Sequence, residues 1–333
     1  MKLKWLFFVF LGLLVFGISG CLVKGNDPAT NAPPQLRTEG GIIYMREEDS
    51  ESKICHLNLH DGKETFLCKY GSVRIEPNPI YYSPTEIMFA EYATGDIHDL
   101  VIYNIVTSEK STIAMVNDPS HNDKHPSLDR SGSNLVYQSK SPVKVLLYRK
   151  ETAEITVIGP ESGSGYSPVI SPDGTKVAFV DGVYGGKLLV YDLTQKSIKT
   201  VNLEGKFDNP AWKPEADGTS KTLAVEKIVD GFHYVYTVDN PFDDAPKMQQ
   251  VTYAQWGKKD DYRHPVWSGN GKILFFCGPM LTSSSHILAA VYYDEVLQKQ
   301  GQAQWYQVSD GKGKIEEPCW APDLQVSQIT PGP

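Results

Sequence analysis

The sequence predicts an all-β fold, a six-bladed β-propeller, and three observations lead to this prediction. A pattern that is clearest in "SPVISPDGTKVAFV" (residues 167–180) recurs at intervals of about 40 to 55 residues. Two alternating apolar segments usually follow each copy, so one repeat supplies about four short strands. The last copy is truncated, and unassigned strand-like runs stand near the start of the chain. The anchoring prolines of the six copies are Pro79, Pro126, Pro168, Pro210, Pro265 and Pro318.

Within one repeat the residue types explain the strands and turns. A large apolar residue follows each proline by two positions, as Ile170 follows Pro168, and an Asp-Gly or related turn comes next. An apolar-x-apolar run such as Val177 and Phe179 then marks the second strand. The chain contains 18 Tyr, 12 Phe and 6 Trp beside 28 Gly and 22 Pro. Aromatic side chains suit half-buried strands and Gly and Pro suit tight turns, so the composition also favours β-structure.

A ring of blades is the arrangement that satisfies such repeats. One small twisted sheet cannot bury both of its faces, whereas blades packed face to face in a closed ring can. A solenoid also fits this repeat length, but it needs polar capping units that the sequence lacks. The anchor at Pro318 is followed by too few residues for three more strands, and residues 41–69 contain three strand-like runs without an anchor. We therefore expect these runs to complete the last blade, in a propeller spanning 40–328 with 329–333 as a tail.

The first 20 residues have the features of an export signal. Lys2 and Lys4 precede an apolar run that is short for a membrane span, and small residues stand before Cys21. The stretch "ISGC" resembles the lipobox of bacterial lipoproteins, which implies a lipid on Cys21 and anchorage to the membrane outside the cytoplasm. A plain signal peptide or a transmembrane anchor would be the alternatives. Leu22 implies the periplasmic face of the outer membrane in a Gram-negative cell, and the polar, Pro-rich residues 21–39 are expected to form a tether.

The charge narrows the class of partner. The formal net charge is −8 and no Lys/Arg-rich run is present. Nucleic acid is therefore a poor candidate, because neutralisation of phosphates supplies most of the affinity for it. We expect a monomer that binds an envelope protein or a peptide.

The cysteines that follow Cys21 allow disulfides if the protein is exported. In "CHLNLHDGKETFLC" a two-residue turn at Asp61-Gly62 would place Cys55 opposite Cys68, close enough for a bridge. Cys277 and Cys319 would pair by elimination. Buried free thiols are the alternative.

The repeat is similar to that of the TolB-like propellers, a WD-like group whose pattern is x-P-x-W-S-P-D-G-x-x-I-A-F. The resemblance covers roughly residues 41–325, and the copy at 167–180 is the closest to it. It implies a six-bladed propeller. Members serve as periplasmic protein-binding modules, as gating domains of peptidases and as scaffolds of pectate-fragment lyases, so the resemblance leaves the function open.

No enzyme motif accompanies the repeats. The chain has no Gly-x-Ser-x-Gly nucleophile elbow, no His-Glu-x-x-His and no Walker loop. We therefore expect a non-catalytic binding scaffold. The alternative is a metal-dependent lyase or hydrolase that acts on polysaccharide fragments, and a third possibility is a purely structural envelope component.

The residues before the anchoring prolines are all polar and should surround one mouth of the central channel. Neighbouring loops add His121, Asp208 and Arg263, and two of the anchors have the order Asp-then-His-Pro. Imidazole and carboxylate from such loops could hold a divalent metal, as in the lyase relatives, or they could contact a ligand or only solvent. The residues before the prolines are Asn78, His125, Ser167, Asn209, His264 and Glu317. The predicted ligand-binding set is Asn78, His125, Asn209, Asp260, Asp261, His264 and Glu317, and the predicted metal set is His125, His264, Asp123 and Asp261.

Other polar and aromatic residues complete the predictions. We expect His56, His60 and His98 at the surface, and Trp212, Trp267 and Trp320 in the packing between blades because they share one repeat position. An acidic loop set of Asp243, Asp244, Trp256, Asp260 and Asp261 could contact a basic peptide.

Overall fold

The computed structural model describes six four-stranded antiparallel sheets arranged as the blades of a propeller. It describes residues 40–70, 77–94, 97–117, 122–140, 143–160, 164–253, 261–279, 286–299 and 305–328. Blade 1 contains β4 (Ile80–Ser83), β5 (Glu86–Thr94), β6 (Ile97–Asn104) and β7 (Lys110–Thr112). Blade 2 contains β8 (Asn122–Leu128), β9 (Asn134–Lys140), β10 (Lys144–Arg149) and β11 (Glu154–Val157). Blade 3 contains β12 (Tyr166–Ile170), β13 (Lys176–Val180), β14 (Leu188–Asp192) and β15 (Ser197–Thr200).

The remaining blades follow the same plan. Blade 4 contains β16 (Lys206–Trp212), β17 (Thr222–Val229), β18 (Phe232–Asp239) and β19 (Lys247–Gln250). Blade 5 contains β20 (Arg263–Trp267), β21 (Ile273–Pro279), β22 (His286–Tyr292) and β23 (Trp305–Gln307), with the helix α1 (Tyr293–Lys299) after its third strand. Blade 6 combines β24 (Lys314–Ala321) with β1 (Gly41–Glu48), β2 (Glu51–Asn58) and β3 (Glu64–Tyr70). A short 3₁₀ helix, Val326–Gln328, follows.

The two ends of the propeller meet in blade 6, which confirms the predicted closure. Strand β24 is innermost, and β1 pairs with it antiparallel, with Gly41 opposite Ala321 and Ile42 opposite Trp320. The N-terminal strands thus complete the sheet that the C-terminal anchor begins. Each of the six described sheets therefore has four strands.

The hydrophobic core consists of six clusters, one at each interface between neighbouring blades. Alternation along a strand sends successive side chains to opposite faces. Ile42 therefore packs against blade 5, whereas Ile43 packs against blade 1. Because every blade shares a core with both neighbours, the ring order follows the chain order. Blades 2 and 5 consequently lie opposite each other across the axis.

Two tryptophans link neighbouring blades by hydrogen bonds, which agrees with their predicted packing role. Trp212 Nε1 donates to the carbonyl of Val169 at 3.2 Å, and Trp267 Nε1 donates to that of Ala211 at 3.2 Å. Each acceptor lies on the innermost strand of the preceding blade. Trp320, at the same repeat position, is half-buried against the core between blades 5 and 6.

Replacing Trp267 with phenylalanine is expected to lower the free energy of unfolding by about 1 kcal/mol, because the Ala211 carbonyl loses its donor while most of the packing remains. Equilibrium unfolding in urea measures the change. Tyr184→Phe is the control, since Tyr184 is 84% exposed and should leave stability unchanged. Equal stability of wild type and Trp267→Phe would show that the indole hydrogen bond contributes nothing.

The predicted disulfides are not seen, and the four cysteines that the structure describes are free thiols. The hairpin turn is longer than expected, because Asn58 rather than His60 pairs with Lys63. A bulge at Leu67 then shifts the register, so that Ile54 lies opposite Cys68. Cys55 and Cys68 therefore face opposite sides of blade 6 and cannot bridge. The other predicted pair is also separate: Cys277 lies in the core between blades 5 and 6, and Cys319 lines the central channel.

Two of the three histidines expected at the surface are buried. His56 and His98 are 3% and 2% exposed, while His60 is exposed as predicted. Burial lowers the pKa of His56 to about 4. His98 Nδ1 donates to Asn122 Oδ1 at 2.9 Å, and the imidazole ring packs against the ring of Tyr92.

Among the described residues, no helix is both long enough and apolar enough to span a bilayer.

Candidate functional site

Every blade presents a polar residue in a left-handed backbone conformation directly before its anchoring proline, within the innermost strand in blades 2 to 6 and two residues before it in blade 1. We call these six residues the mouth ring: Asn78, His125, Ser167, Asn209, His264 and Glu317. Their φ angles lie between 42° and 53°, a region that residues other than glycine rarely adopt. In blades 2 to 6 the strand pairing is interrupted by a bulge at the mouth-ring residue and its proline. Bulges redirect side chains, and strained backbone of this kind is concentrated at functional sites.

The mouth ring surrounds one central cavity of about 180 Å³. Each blade contributes its mouth-ring residue, the following proline and the residue after that. The rim therefore offers hydrogen-bonding groups, while the proline rings and small apolar side chains form the wall. A narrow, mostly apolar cavity with a few convergent polar groups is the usual form of a ligand site. We call the end of the propeller that carries the ring the mouth face, and the opposite end the far face.

The predicted ligand-binding residues are partly brought together. Asn78, His125, Asn209, His264 and Glu317 all line the cavity. Asp261 lies on the mouth face just before β20 but does not line the cavity. Asp260 lies outside the described residues, as does His121.

The sequence analysis missed Glu226, which organises the blade 4 side of the mouth. It lies on β17, is 0% exposed, and accepts hydrogen bonds from Asn209 Nδ2 at 2.6 Å and the His264 amide at 2.7 Å. His233 Nδ1 contributes a third contact at 2.6 Å. Burial opposes ionisation, but the His233 hydrogen bond and the charge of His264 outweigh it and lower the pKa of Glu226. The sequence signal that could have identified Glu226 is a single acidic residue within the largely apolar strand "TLAVEKIV".

Asp208 is paired with Glu226 across the strands and behaves in the opposite way. Its carboxylate accepts from Ser167 Oγ at 3.1 Å and from the Asn209 amide at 2.9 Å. Burial, and then the charge of Glu226, raise the pKa of Asp208 to about 6. Asp208 thus keeps its proton up to about pH 6, whereas Glu226 loses its proton below its usual range.

Glu317 and Asn78 connect blades 6 and 1 at the mouth. Glu317 Oε2 accepts from the Asn78 amide at 2.6 Å. The side-chain Oδ1 of Asn78 is buried and has no hydrogen-bond partner within the part of the chain that the structure describes. A buried acceptor left without a donor costs free energy, so a donor supplied by a ligand would be favourable here.

The predicted metal set does not form a metal site among the described residues. No group of three or more His, Cys, Asp or Glu side chains there could hold an ion. His125 and His264 belong to blades 2 and 5, on opposite sides of the axis. Asp123 is 0% exposed, and Asp261 accepts from Arg263 Nε at 2.9 Å.

The predicted acidic loop set is not one surface. Asp243 and Asp244 lie between β18 and β19, on the far face, and Asp244 pairs with Lys199 at 2.9 Å. Asp261 lies on the mouth face. Trp256, like Asp260, lies outside the described residues.

Comparison with known proteins identifies the fold. No family profile matches this sequence, and no curated protein matches it. The structure is similar to TolB from Acinetobacter baumannii, with a TM-score of 0.64 and 16% identity over 85% of this chain and 66% of the TolB chain. A chain of the nidogen/laminin complex has a TM-score of 0.59 and 9% identity over 85% of this chain and 99% of its own. An oligogalacturonate lyase in complex with manganese has a TM-score of 0.52 and 14% identity over 82% of this chain and 78% of its own.

These identities show the fold and leave the activity open. The chain spans 66% of the TolB chain that it matches. The chain has the TolB-like, six-bladed β-propeller fold, as predicted.

Proposed function

We propose that this protein is a lipid-anchored envelope protein whose propeller is a non-catalytic scaffold that binds a partner at the mouth face. The observation that carries the proposal is the central cavity, to which all six blades contribute the same three repeat positions. Strained mouth-ring backbone and the buried Asn78 Oδ1 support ligand contact at that rim. The lipid would be on Cys21, which lies outside the described residues, with the tether holding the propeller on the extracytoplasmic side of the membrane.

The similar structures are consistent with binding. The nidogen/laminin structure contains a propeller of this shape within a protein complex. The lyase similarity would instead favour catalysis with manganese, but the donors described in this chain do not fit a metal site. We therefore derive no metal-dependent step.

Site-specific photocrosslinking tests the proposal in the native membrane. Tyr184 is a suitable probe position, because it is exposed in the β13–β14 turn, on the mouth face. The nearby Gly186 exchanges backbone hydrogen bonds of 2.9 and 2.7 Å with Phe207, the neighbour of Asp208. Benzoylphenylalanine at Tyr184 is expected to capture one partner, whereas the same residue at Glu151, exposed on the far face, is expected to capture none.

Mouth-ring variants decide whether the cavity is responsible. With the Tyr184 probe in place, Asn78→Ala combined with His264→Ala should reduce the captured yield at least tenfold. His60→Ala is the matched control, since His60 is exposed in the β2–β3 turn on the far face, and it should leave the yield unchanged. Equal capture from both faces, or capture that survives the double variant, would refute binding at the mouth.

A further inference from the structure

One hydrogen bond crosses the axis of the propeller at the far face. Arg130 Nη2, in the turn between β8 and β9 of blade 2, donates to the carbonyl of Gly269 at 3.1 Å. Gly269 lies in the turn between β20 and β21 of blade 5. Because blades 2 and 5 are opposite each other, this contact spans the channel.

Arg130 and Gly269 occupy the same repeat position, four residues after the anchoring proline, and the residue types there suit a contact across the axis. In the six blades this position is occupied by Ser83, Arg130, Pro172, Pro214, Gly269 and Pro322. Arg130 is the single long side chain among them, and the residue opposite has no side chain. A β-carbon at Gly269 would come within 2.7 Å of Trp320 Nε1, so glycine leaves both room and an accessible carbonyl.

The far-face turns also contact one another around the ring. The Arg130 amide donates to the Pro172 carbonyl at 3.2 Å, and the Gln325 amide donates to Pro84 at 2.7 Å. A β-carbon at Gly271 would come within 2.2 Å of the Pro214 carbonyl oxygen. Neighbouring turns are therefore close together, and the Arg130 side chain extends across the centre between them to reach Gly269.

We infer that Arg130 closes the far end of the channel and makes the central cavity a pocket with a single mouth. A pocket of this kind accepts the end of a chain or one side group, whereas an open channel could be threaded by an extended segment. This restriction on the ligand rests on the proposed function. The closure itself does not, so the two can fail separately.

Crosslinking through the floor of the pocket tests the closure. Cys319 lines the cavity, and Asp173 is exposed in the far-face turn of blade 3. In the full-length Asp173→Cys protein, a flexible bismaleimide should not join position 173 to Cys319, because the Arg130 side chain lies between them. Adding Arg130→Ala should raise the yield of this crosslink at least tenfold, measured by peptide mass spectrometry.

The controls separate closure from unfolding. Arg149→Ala, which removes an arginine from β10, should leave the yield at the level of Asp173→Cys alone. Circular dichroism should give the same unfolding midpoint for the Arg130→Ala protein within a few degrees, since Arg130 is exposed. If the crosslink yield in the Arg130→Ala protein does not exceed the yield with Arg130 present, the inference is overturned, whatever the outcome of photocrosslinking at Tyr184.

Discussion

Replacing Arg46 with alanine is expected to lower the free energy of unfolding by about 2 kcal/mol, because it removes a buried guanidinium that holds two partly exposed carboxylates. Arg46 lies on β1, is 4% exposed, and pairs with Asp310 at 2.8 Å and Glu64 at 2.5 Å. The Tyr44 hydroxyl also hydrogen-bonds to Glu64. The cluster joins the N-terminal strands of blade 6 to the loop before β24, and its loss therefore weakens the closure of the ring.

Equilibrium unfolding in guanidinium chloride, followed by fluorescence, measures this effect. The matched control is Lys53→Ala, a neighbouring cation on β2 whose contacts to Glu48 and Glu51 are 4.0 and 3.8 Å. Such exposed pairs contribute less than about 1 kcal/mol. If Arg46→Ala and Lys53→Ala lower the free energy of unfolding equally, the Arg46 cluster does not stabilise the closure.

The regular features of the fold could be predicted because they depend on local chemistry that is repeated six times. The proline anchors, the turns and the alternating strands are encoded within each repeat, and their misfit at the two chain ends indicated the closure of blade 6. The six mouth-ring residues were found for the same reason. Their left-handed backbone was not predicted, since polar residues before proline carry no unambiguous signal for it.

Features that depend on one irregular residue or on distant partners were missed. The bulge at Leu67 shifts the strand register, so that Cys68 no longer lies opposite Cys55. No Gly, Pro or Asn near Leu67 indicates a bulge in the sequence. The hydrogen-bond donors to Glu226 lie on β16, β18 and the next blade. Because these partners are distant in sequence, the local pattern shows only an acidic residue in an apolar strand. Arg130 and Gly269 are brought together solely by the closed ring. Periodicity therefore predicted the scaffold, but not the contacts across it.

Replacing Asp208 with asparagine is expected to stabilise the protein above neutral pH. The folded-state pKa of Asp208 is about 6, whereas an unfolded aspartate has a pKa of about 3.9. Protonation therefore favours the folded state, and this contribution is complete below about pH 4 and lost as the pH rises through about 6. Asparagine resembles the protonated carboxyl group and keeps an acceptor for the Ser167 hydroxyl and the Asn209 amide.

The expected difference between Asp208→Asn and wild type is close to zero at pH 4 and about 2 kcal/mol in favour of the variant at pH 8. Urea unfolding at a series of pH values measures it. The difference between the two proteins is the relevant quantity, because Glu226 acts with the opposite sign: its lowered pKa contributes stability that is lost in acid in both proteins. Asp230→Asn is the control, since Asp230 is exposed in the β17–β18 turn and its replacement should give a difference that does not vary with pH. A flat difference curve for Asp208→Asn would mean that Asp208 ionises in the folded protein without cost, and that burial and the charge of Glu226 do not raise its pKa.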